Sequence, residues 1–473
     1  MIRSLLLLAL GAGSTLSHSV LAAPARPPNI VFFLADDLGI GHVGCYGQQK
    51  IKTPNVDQLA REGMRFTQFY AGANVCAPSR STLMTGLHTG HTPVRNNGLD
   101  RFLYDTDVTV AEVLKQAGYA TGGFGKWGLG RETNSGVAVK QGFDTWFGQY
   151  SQVHAHFYYP YYLMSNLERY PIPENEGKKR SRYSADVVQG QALKFIETQA
   201  RAGRPFFAYL PTTLPHVELT APIESWENYQ GQWRKVARPD PRPGYIGSDD
   251  ALPEFAGMVA RMDRYLGEVM ALLKRLGIDD NTVVFFSSDN GPQPGAWRDI
   301  FVEFFDGAAG RRGAKGDFYE GGTHVPLIVR WPGKIKPGSV SDLPGYFPDV
   351  MPTLAELAGA TAHLPKTDGN SIAPTLLGKP GQQKHEFLYW EAAGANLNTT
   401  QQAVRLGDWK AVRGKTAKDW ELYDLKNDVK ETKNVSAEHP EVMQRIHAII
   451  AAEHTPERKY AAAPKEGAAD YVR

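Results

Sequence analysis

The sequence predicts an α/β protein, with one large, mostly parallel sheet sandwiched by helices and a smaller α+β unit toward the C-terminus. Three observations carry that reading. Near-continuous apolar runs, the mark of strands buried on both faces, recur along the chain. Between them, apolar residues return at three-to-four spacing, the mark of amphipathic helices. Beyond a boundary near Gly378 to Lys384 the runs shorten, as expected of a small separate sheet.

In chain order, the first strand is Asn29-Ile30-Val31-Phe32-Phe33-Leu34-Ala35. Val110 to Ala117 and Ala185 to Thr198 have helical periodicity, and Pro205 to Leu210 forms the next apolar run. Glu224 to Asp250 is rich in Pro, Gly, Arg and Trp without a period, which predicts a long surface loop beside the site. A long helix follows over Glu254 to Leu276, then strands over Thr282 to Phe286 and Val325 to Trp331, then a helix over Pro348 to Leu357. Past the boundary, His385 to Trp390, Trp409 to Val412 and Glu421 to Asp424 suit short strands of a small antiparallel sheet. Pro440 to Ala452 suits a helix, and a polar, Ala-rich tail ends the chain. The organisation expected is therefore a signal segment at 1–23, a main domain at 24–379 and a C-terminal subdomain at 380–473.

Composition narrows the function. Among 473 residues, 22% are charged and the net charge is +2, with both signs interspersed, which argues against nucleic-acid or membrane binding as the main task. Met1-Ile2-Arg3, the apolar run Ser4 to Leu10 and the small residues at Leu21-Ala22-Ala23 predict a cleaved secretory signal, hence a periplasmic or secreted protein with no membrane anchor after its removal. Only two cysteines occur, Cys45 and Cys76, so the chain is not a disulfide scaffold, although one bridge between them is the ordinary expectation in an oxidising compartment.

Two acids, Asp36 and Asp37, directly follow the first strand, and Asp289-Asn290 follow another. Ligands of open α/β sheets gather at the carboxyl ends of strands, so these positions are expected to share one crevice. Carboxylates with an amide oxygen, and no partnering His or Cys cluster, favour a hard cation, calcium first and magnesium second. Pro78 is suited to start a helix, which puts Cys76 just ahead of a helix N-terminus, where free N–H groups favour an anion.

Cys76-x-Pro78-Ser79-Arg80 followed by Leu83-x-Thr85-Gly86 resembles the signature of the formylglycine sulfatases, whose fold is alkaline phosphatase-like. The likeness covers nearly the whole mature chain. It includes Pro28-Asn29-Ile30-Val31, Asp36-Asp37-x-Gly39, Gly125-Lys126-Trp127, Pro215-His216, Ser288-Asp289-Asn290-Gly291, Lys315-x-x-x-Tyr319-Glu320-Gly321-Gly322 and Leu422-Tyr423-Asp424-Leu425, in family order.

The resemblance implies a sulfuric ester hydrolase in which a maturation enzyme oxidises Cys76 to formylglycine, whose hydrate attacks the sulfur of a sulfated small molecule or glycan. It implies calcium ligands at Asp36, Asp37, Asp289, Asn290 and the modified Cys76. It also implies that Arg80 holds the hydrated aldehyde, Lys126 and Lys315 grip the sulfate, and His216 protonates the departing alcohol. One departure stands out: many relatives carry a histidine after the Gly-Lys-Trp motif, and this chain has Gly128. His154 and His156, ahead of an aromatic run, are the nearest candidates to replace it and to bind substrate, and their surroundings resemble bacterial sulfatases of sulfated sugars. The competing functions are a broad arylsulfatase, a formylglycine phosphonate or phosphodiester hydrolase, and an exported glycan-binding relative without turnover.

Overall fold

The computed structural model describes residues 26–240, 242, 245–392, 401–414, 419–460 and 470–472. The expected signal segment at 1–23 and residues 461–469 and 473 of the Ala-rich tail lie outside them. The strands are β1 Asn29–Ala35, β2 Met64–Phe66, β3 Phe69–Tyr70, β4 Ala120–Lys126, β5 Thr145–Gln149, β6 Tyr162–Ser165, β7 Glu168–Pro171, β8 Phe206–Pro211, β9 Thr282–Ser288, β10 Leu327–Arg330, β11 Ser339–Ser341, β12 Gly345–Tyr346, β13 Phe387–Ala392, β14 Gln401–Leu406, β15 Trp409–Arg413 and β16 Glu421–Asp424. The helices are α1 Pro54–Glu62, α2 Cys76–Thr85, α3 Val110–Gln116, α4 Ser184–Arg201, α5 Ala251–Arg275, α6 Glu320–Thr323, α7 Val350–Ala358, α8 Ala373–Leu376 and α9 Pro440–Glu453. No helix among the described residues is long and apolar enough to cross a membrane.

Ten strands form the main sheet in the order β11-β2-β10-β9-β1-β8-β4-β5-β6-β7. Its centre, β9 through β5, is parallel, and at the flanks β10 pairs antiparallel with β9, β6 with β5 and β7 with β6. The unbroken apolar run of β1 has a direct cause. Val31, Phe33 and Ala35 face α1, α4 and α5, packing with Leu59, Phe195 and Leu266, while Ile30, Phe32 and Leu34 face α2, α3 and α7, packing with Leu83, Val113 and Leu354. Register places Phe32 beside Phe285 and Phe33 beside Phe286, with ring centroids 5.6 and 5.9 Å apart. Losing one such ring would cost about 3–5 kcal/mol.

Strand β4 carries no apolar run, because its glycines make room for neighbours. A Cβ on Gly123 would lie 2.2 Å from the Trp146 ring, so the indole lies across the strand only because the side chain is missing. Among its described residues, the Glu224 to Asp250 segment holds no α-helix or strand beyond short turns and one antiparallel bridge, Arg238 to Ser248.

The second sheet, β13-β14-β15-β16, is antiparallel, and α9 closes one face with Met443 and Ile446 against Val404 and Leu422. A buried charge cluster ties it to the main body. Lys410 on β15 donates to Glu320 on α6 at 2.8 Å, Glu431 accepts from the Glu320 backbone N–H at 2.7 Å, and Arg405 on β14 donates to the Tyr70 hydroxyl at 2.7 Å.

Candidate active site

The pairing of β1 with β9 builds the site. It sets Ala35 opposite Ser288, so Asp36-Asp37 and Asp289-Asn290 leave the sheet side by side. Asp37 sits at φ +62°, a left-handed conformation that a short polar side chain tolerates, and its N–H donates to Asp289 Oδ1 at 3.1 Å. Lys126 ends β4 at the same rim, and His216 lies on the loop after β8.

Helix α2 supplies the other wall. It begins at Cys76 itself, two residues ahead of Pro78, with extended Val75 as its N-cap, and ends at Gly86 in the left-handed region. Every residue of it is buried. Arg80, one turn on from Cys76, shares its face. Its guanidinium donates to Asp289 Oδ2 at 3.1 and 2.8 Å and to the Lys126 carbonyl at 2.5 Å.

These side chains converge. Cys76 Sγ lies 3.6 Å from Asp36 Oδ1 and 4.0 Å from Asp37 Oδ1. Lys126 Nζ donates to Asp36 Oδ2 at 2.7 Å, and Lys315 Nζ to Asp37 Oδ2 at 2.7 Å. Lys315 Nζ is also 3.2 Å from His216 Nε2, whose other ring nitrogen contacts the Val217 carbonyl. Lys315 is held by backbone bonds of its loop, from its own N–H to Pro292 at 3.0 Å and from Gly316 to Asn74 at 2.7 Å.

Burial sets the electrostatics. It pushes the Asp36 carboxyl up, yet the cations Lys126, Arg80 and Lys315 together outweigh that and hold it far below the usual range. Burial raises Asp37, helped by the neighbouring Asp36 charge and opposed by Lys315 and Lys126; it also raises Asp289, to about 7, with Asp36 adding to the rise. The Cys76 thiol is pushed up to about 12 by burial, against the pull of Lys126 and Lys315. Burial and then Lys315 hold His216 well below the usual imidazole value, so its ring is neutral beside the charged lysine.

A hard cation fits this donor set. Asp36, Asp37, Cys76 and His216 offer ligand atoms within 4.8 Å of one another, and the buried Asn290 Oδ1 has no hydrogen-bond donor among the described residues. Oxygen donors predominate, as calcium or magnesium requires. A second group, His88, His91 and Asp368, is also close-set, but His91 turns Nδ1 to Asp368 at 2.9 Å and Nε2 toward Glu453 at 3.7 Å. A carboxylate at each ring nitrogen is the arrangement of an ion pair.

Of the residues singled out from sequence, Asp36, Asp37, Cys76, Arg80, Lys126, His216, Asp289, Asn290 and Lys315 come together in this one place. His156 joins them, its ring stacked on His216 with centroids 4.5 Å apart. His154 does not: it is buried, bonded through Nε2 to the Tyr162 carbonyl at 2.9 Å and stacked on Tyr471. Cys45 and Cys76 are both free thiols, so the expected bridge is not formed. Gly128, at φ +80°, has Gln152 where a side chain would go. A Cβ there would lie 2.2 Å from Gln152 Nε2, a buried donor with no partner.

Three contributors escaped the sequence reading. Gln152 and Tyr245 carry no signature at all. Tyr158, whose hydroxyl bonds the Thr213 and His216 carbonyls at 2.7 Å each and so fixes the His216 loop, is visible in the sequence only as one member of an aromatic run.

A rim that offers lysines to an anion and carboxylates to a cation, side by side, is the equipment of a hydrolase for anionic esters. The comparisons with known proteins name the ester. The sulfatase family model matches residues 28–360, and that for the C-terminal part of N-sulphoglucosamine sulphohydrolase matches residues 314–455. The chain is 31% identical over 489 residues to the N-acetylgalactosamine-6-O-sulfatase of Bacteroides thetaiotaomicron, covering 90% of this chain and 93% of that protein. It is 32% identical over 496 residues to arylsulfatase A of Homo sapiens, covering 93% and 89%. Among solved structures, Ps i-CgsB in complex with k-i-k-neocarrahexaose superposes with a TM-score of 0.75 at 26% identity, covering 90% of this chain and 93% of that one. The phosphonate monoester hydrolase of Agrobacterium radiobacter, at 20% identity and a TM-score of 0.65, shares the fold. The chain belongs to the sulfatase family, and it is a sulfuric ester hydrolase.

Proposed function

We propose that this enzyme removes sulfate from a sulfated carbohydrate, using formylglycine made from Cys76 and a calcium ion held by Asp36, Asp37, Asp289 and Asn290. When present, the hydrated aldehyde supplies a nucleophilic oxygen and the cation supplies charge neutralisation. The observation that carries this reading is the convergence of three carboxylates, an amide oxygen, Cys76 and two lysines at one strand-end rim.

The protein's own groups divide the work. Asp36, Asp37 and Asp289 are balanced by Arg80, Lys126 and Lys315, so a divalent cation makes the pocket net positive, the sign a sulfate ester needs. Lys126 and Lys315 hold the non-bridging sulfate oxygens, and Arg80 holds the hydroxyl at residue 76 while fixing Asp289. The leaving oxygen takes its proton from the Lys315–His216 pair. Nδ1 of His216 donates to the Val217 carbonyl and Nε2 accepts from Lys315, so the shared proton resides on the ammonium until the alcohol departs. Gln152 Nε2 occupies the space beside Gly128 and has no hydrogen-bond partner among the described residues, so its amide is available at the position where the resemblance gives many relatives a histidine.

The carbohydrate substrate class rests on the names of the relatives and on His156 with its aromatic neighbours, since rings suit sugar faces. The same proposal includes export to the periplasm or medium after loss of residues 1–23, maturation by a formylglycine-generating enzyme, a catalytic domain over 24–379 and a subdomain over 380–473.

The test is sulfate release from sulfated sugars and p-nitrophenyl sulfate, alongside p-nitrophenyl phosphate. Sulfate turnover that is lost on chelation and restored by calcium is expected. Faster release of phosphate than sulfate would replace this reading with the phosphoester one.

A further inference from the structure

The loop between β8 and α5 brings one residue to the site that no motif announces. Arg238 and Ser248 exchange backbone hydrogen bonds at 2.7 and 2.9 Å, and the Ile246 N–H donates to Glu218 Oε1 at 2.6 Å, two residues past His216. These ties set Tyr245 against the His216 wall. Its ring packs on Phe157 with centroids 5.0 Å apart, the Arg242 guanidinium covers it at 3.7 Å, and its hydroxyl lies 2.7 Å from His156 Nδ1.

That last contact decides which nitrogen of His156 carries hydrogen. A phenol is the stronger donor and an imidazole nitrogen the stronger acceptor, so the favoured pairing is O–H to Nδ1, with the hydrogen of the neutral ring on Nε2. Burial, then Lys126 and Arg242, keep the ring neutral, and burial pushes the phenol up to about 12, so neither group changes charge near neutral pH. Among the described residues Nε2 has no protein partner, and His156 is partly exposed. The ring lies nearly parallel to His216, with 13° between the planes, and so beside the group to which the proposed function gives the proton for the departing alcohol.

We propose that Tyr245 is a positioning residue that locks His156 as the Nε2–H tautomer, and that this N–H reads an oxygen of the departing sugar, a hydroxyl or ring oxygen, instead of the sulfate. The proposal rests on the carbohydrate reading above. It predicts discrimination: a leaving group with sugar oxygens uses the contact and a plain phenol does not.

The experiment compares kcat/KM for p-nitrophenyl sulfate with that for the best substrate in a panel of sulfated hexoses and hexosamines, in wild type, Tyr245→Phe, His156→Ala and the double variant. Tyr245→Phe keeps the ring packing and removes only the hydroxyl. The sugar-to-aryl ratio is expected to fall about tenfold, the worth of one hydrogen bond, in each single variant. In the His156→Ala background, Tyr245→Phe should change it by less than about twofold. Nitrogen NMR of His156 should move from one tautomer to a mixture in Tyr245→Phe, a change that lost packing alone would not produce. Equal losses on both substrates, additive losses in the double variant, or an unchanged tautomer would overturn the inference. If the wild type cleaves the aryl sulfate and no sulfated sugar, the carbohydrate reading fails and this inference goes with it, whereas a failure confined to the variants leaves that reading intact.

Discussion

Two buried charge clusters in this protein are made of similar parts and do opposite things. At the strand-end rim, Asp36, Asp37 and Asp289 are neighbours facing Arg80, Lys126 and Lys315. Between the two sheets, Glu320 and Glu431 flank Lys410, with Arg405 and His324 close by. The second cluster is spent on the fold. Glu431 Oε1 lies at ion-pair distance from Lys410, 3.4 Å, although neither it nor His324 Nε2 makes a hydrogen bond among the described residues, and the members of the cluster bridge α6 to the small sheet. The rim cluster keeps an unclaimed acceptor at Asn290 Oδ1 and crowds its acids together, which costs stability and readies the site for a cation and an anion. Burial, charge and a single unpaired atom therefore do not mark a catalytic centre; acids, lysines and Cys76 converging on one point do.

The sharpest way to break this contrast is to damage each cluster and ask what is lost. Cys76→Ala should lower sulfatase kcat/KM on the order of 10⁴-fold or more while moving the urea midpoint little. Lys410→Met should do the reverse, costing about 3–5 kcal/mol of unfolding free energy because two buried carboxylates lose their cation. Adding Glu320→Gln and Glu431→Gln to Lys410→Met should recover most of that loss, since the uncompensated charge and not the missing lysine is the penalty. If Lys410→Met left stability unchanged, the assignment of the second cluster to the fold would be wrong.

A smaller effect concerns pH. Burial raises Glu431 to about 7 from an ordinary 4.5, with Lys410 opposing and Glu320 reinforcing the shift. An acid that holds its proton more tightly in the folded state stabilises fully below its unfolded value, and that contribution is lost as pH rises through the folded value. Unfolding free energy should therefore decline by about 2–3 kcal/mol from near pH 4.5 to pH 7, and Glu431→Gln should flatten that slope. A slope untouched by the substitution would assign it to other groups.

The two clusters also differ in how far they could be seen from sequence. Rim residues come as adjacent pairs at the ends of apolar strands, Asp36-Asp37 after β1 and Asp289-Asn290 after β9, and as fixed spacings around Cys76 and Lys315, so periodicity and motif find them together. The second cluster takes single residues from segments far apart in the chain, Glu320 and Lys410 being 90 residues apart, and no local pattern links them. The same rule holds within the site. His154 and His156 lie in one short turn, yet the turn sends His154 into packing with Tyr162 and Tyr471 and His156 onto His216. Strands β1, β8 and β9 were legible because both faces are apolar, whereas β4 was hidden by glycines whose purpose, making room for Trp146, exists only in three dimensions.

The rim cluster has its proposed role only if residue 76 is converted. The most direct measurement is the mass of the peptide spanning Cys76 from protein purified out of its own host or co-expressed with a formylglycine-generating enzyme. The peptide should be about 18 Da lighter than the thiol form, with sulfatase activity rising in proportion to the lighter fraction. Full activity in protein whose residue 76 remains an unmodified cysteine would contradict the mechanism.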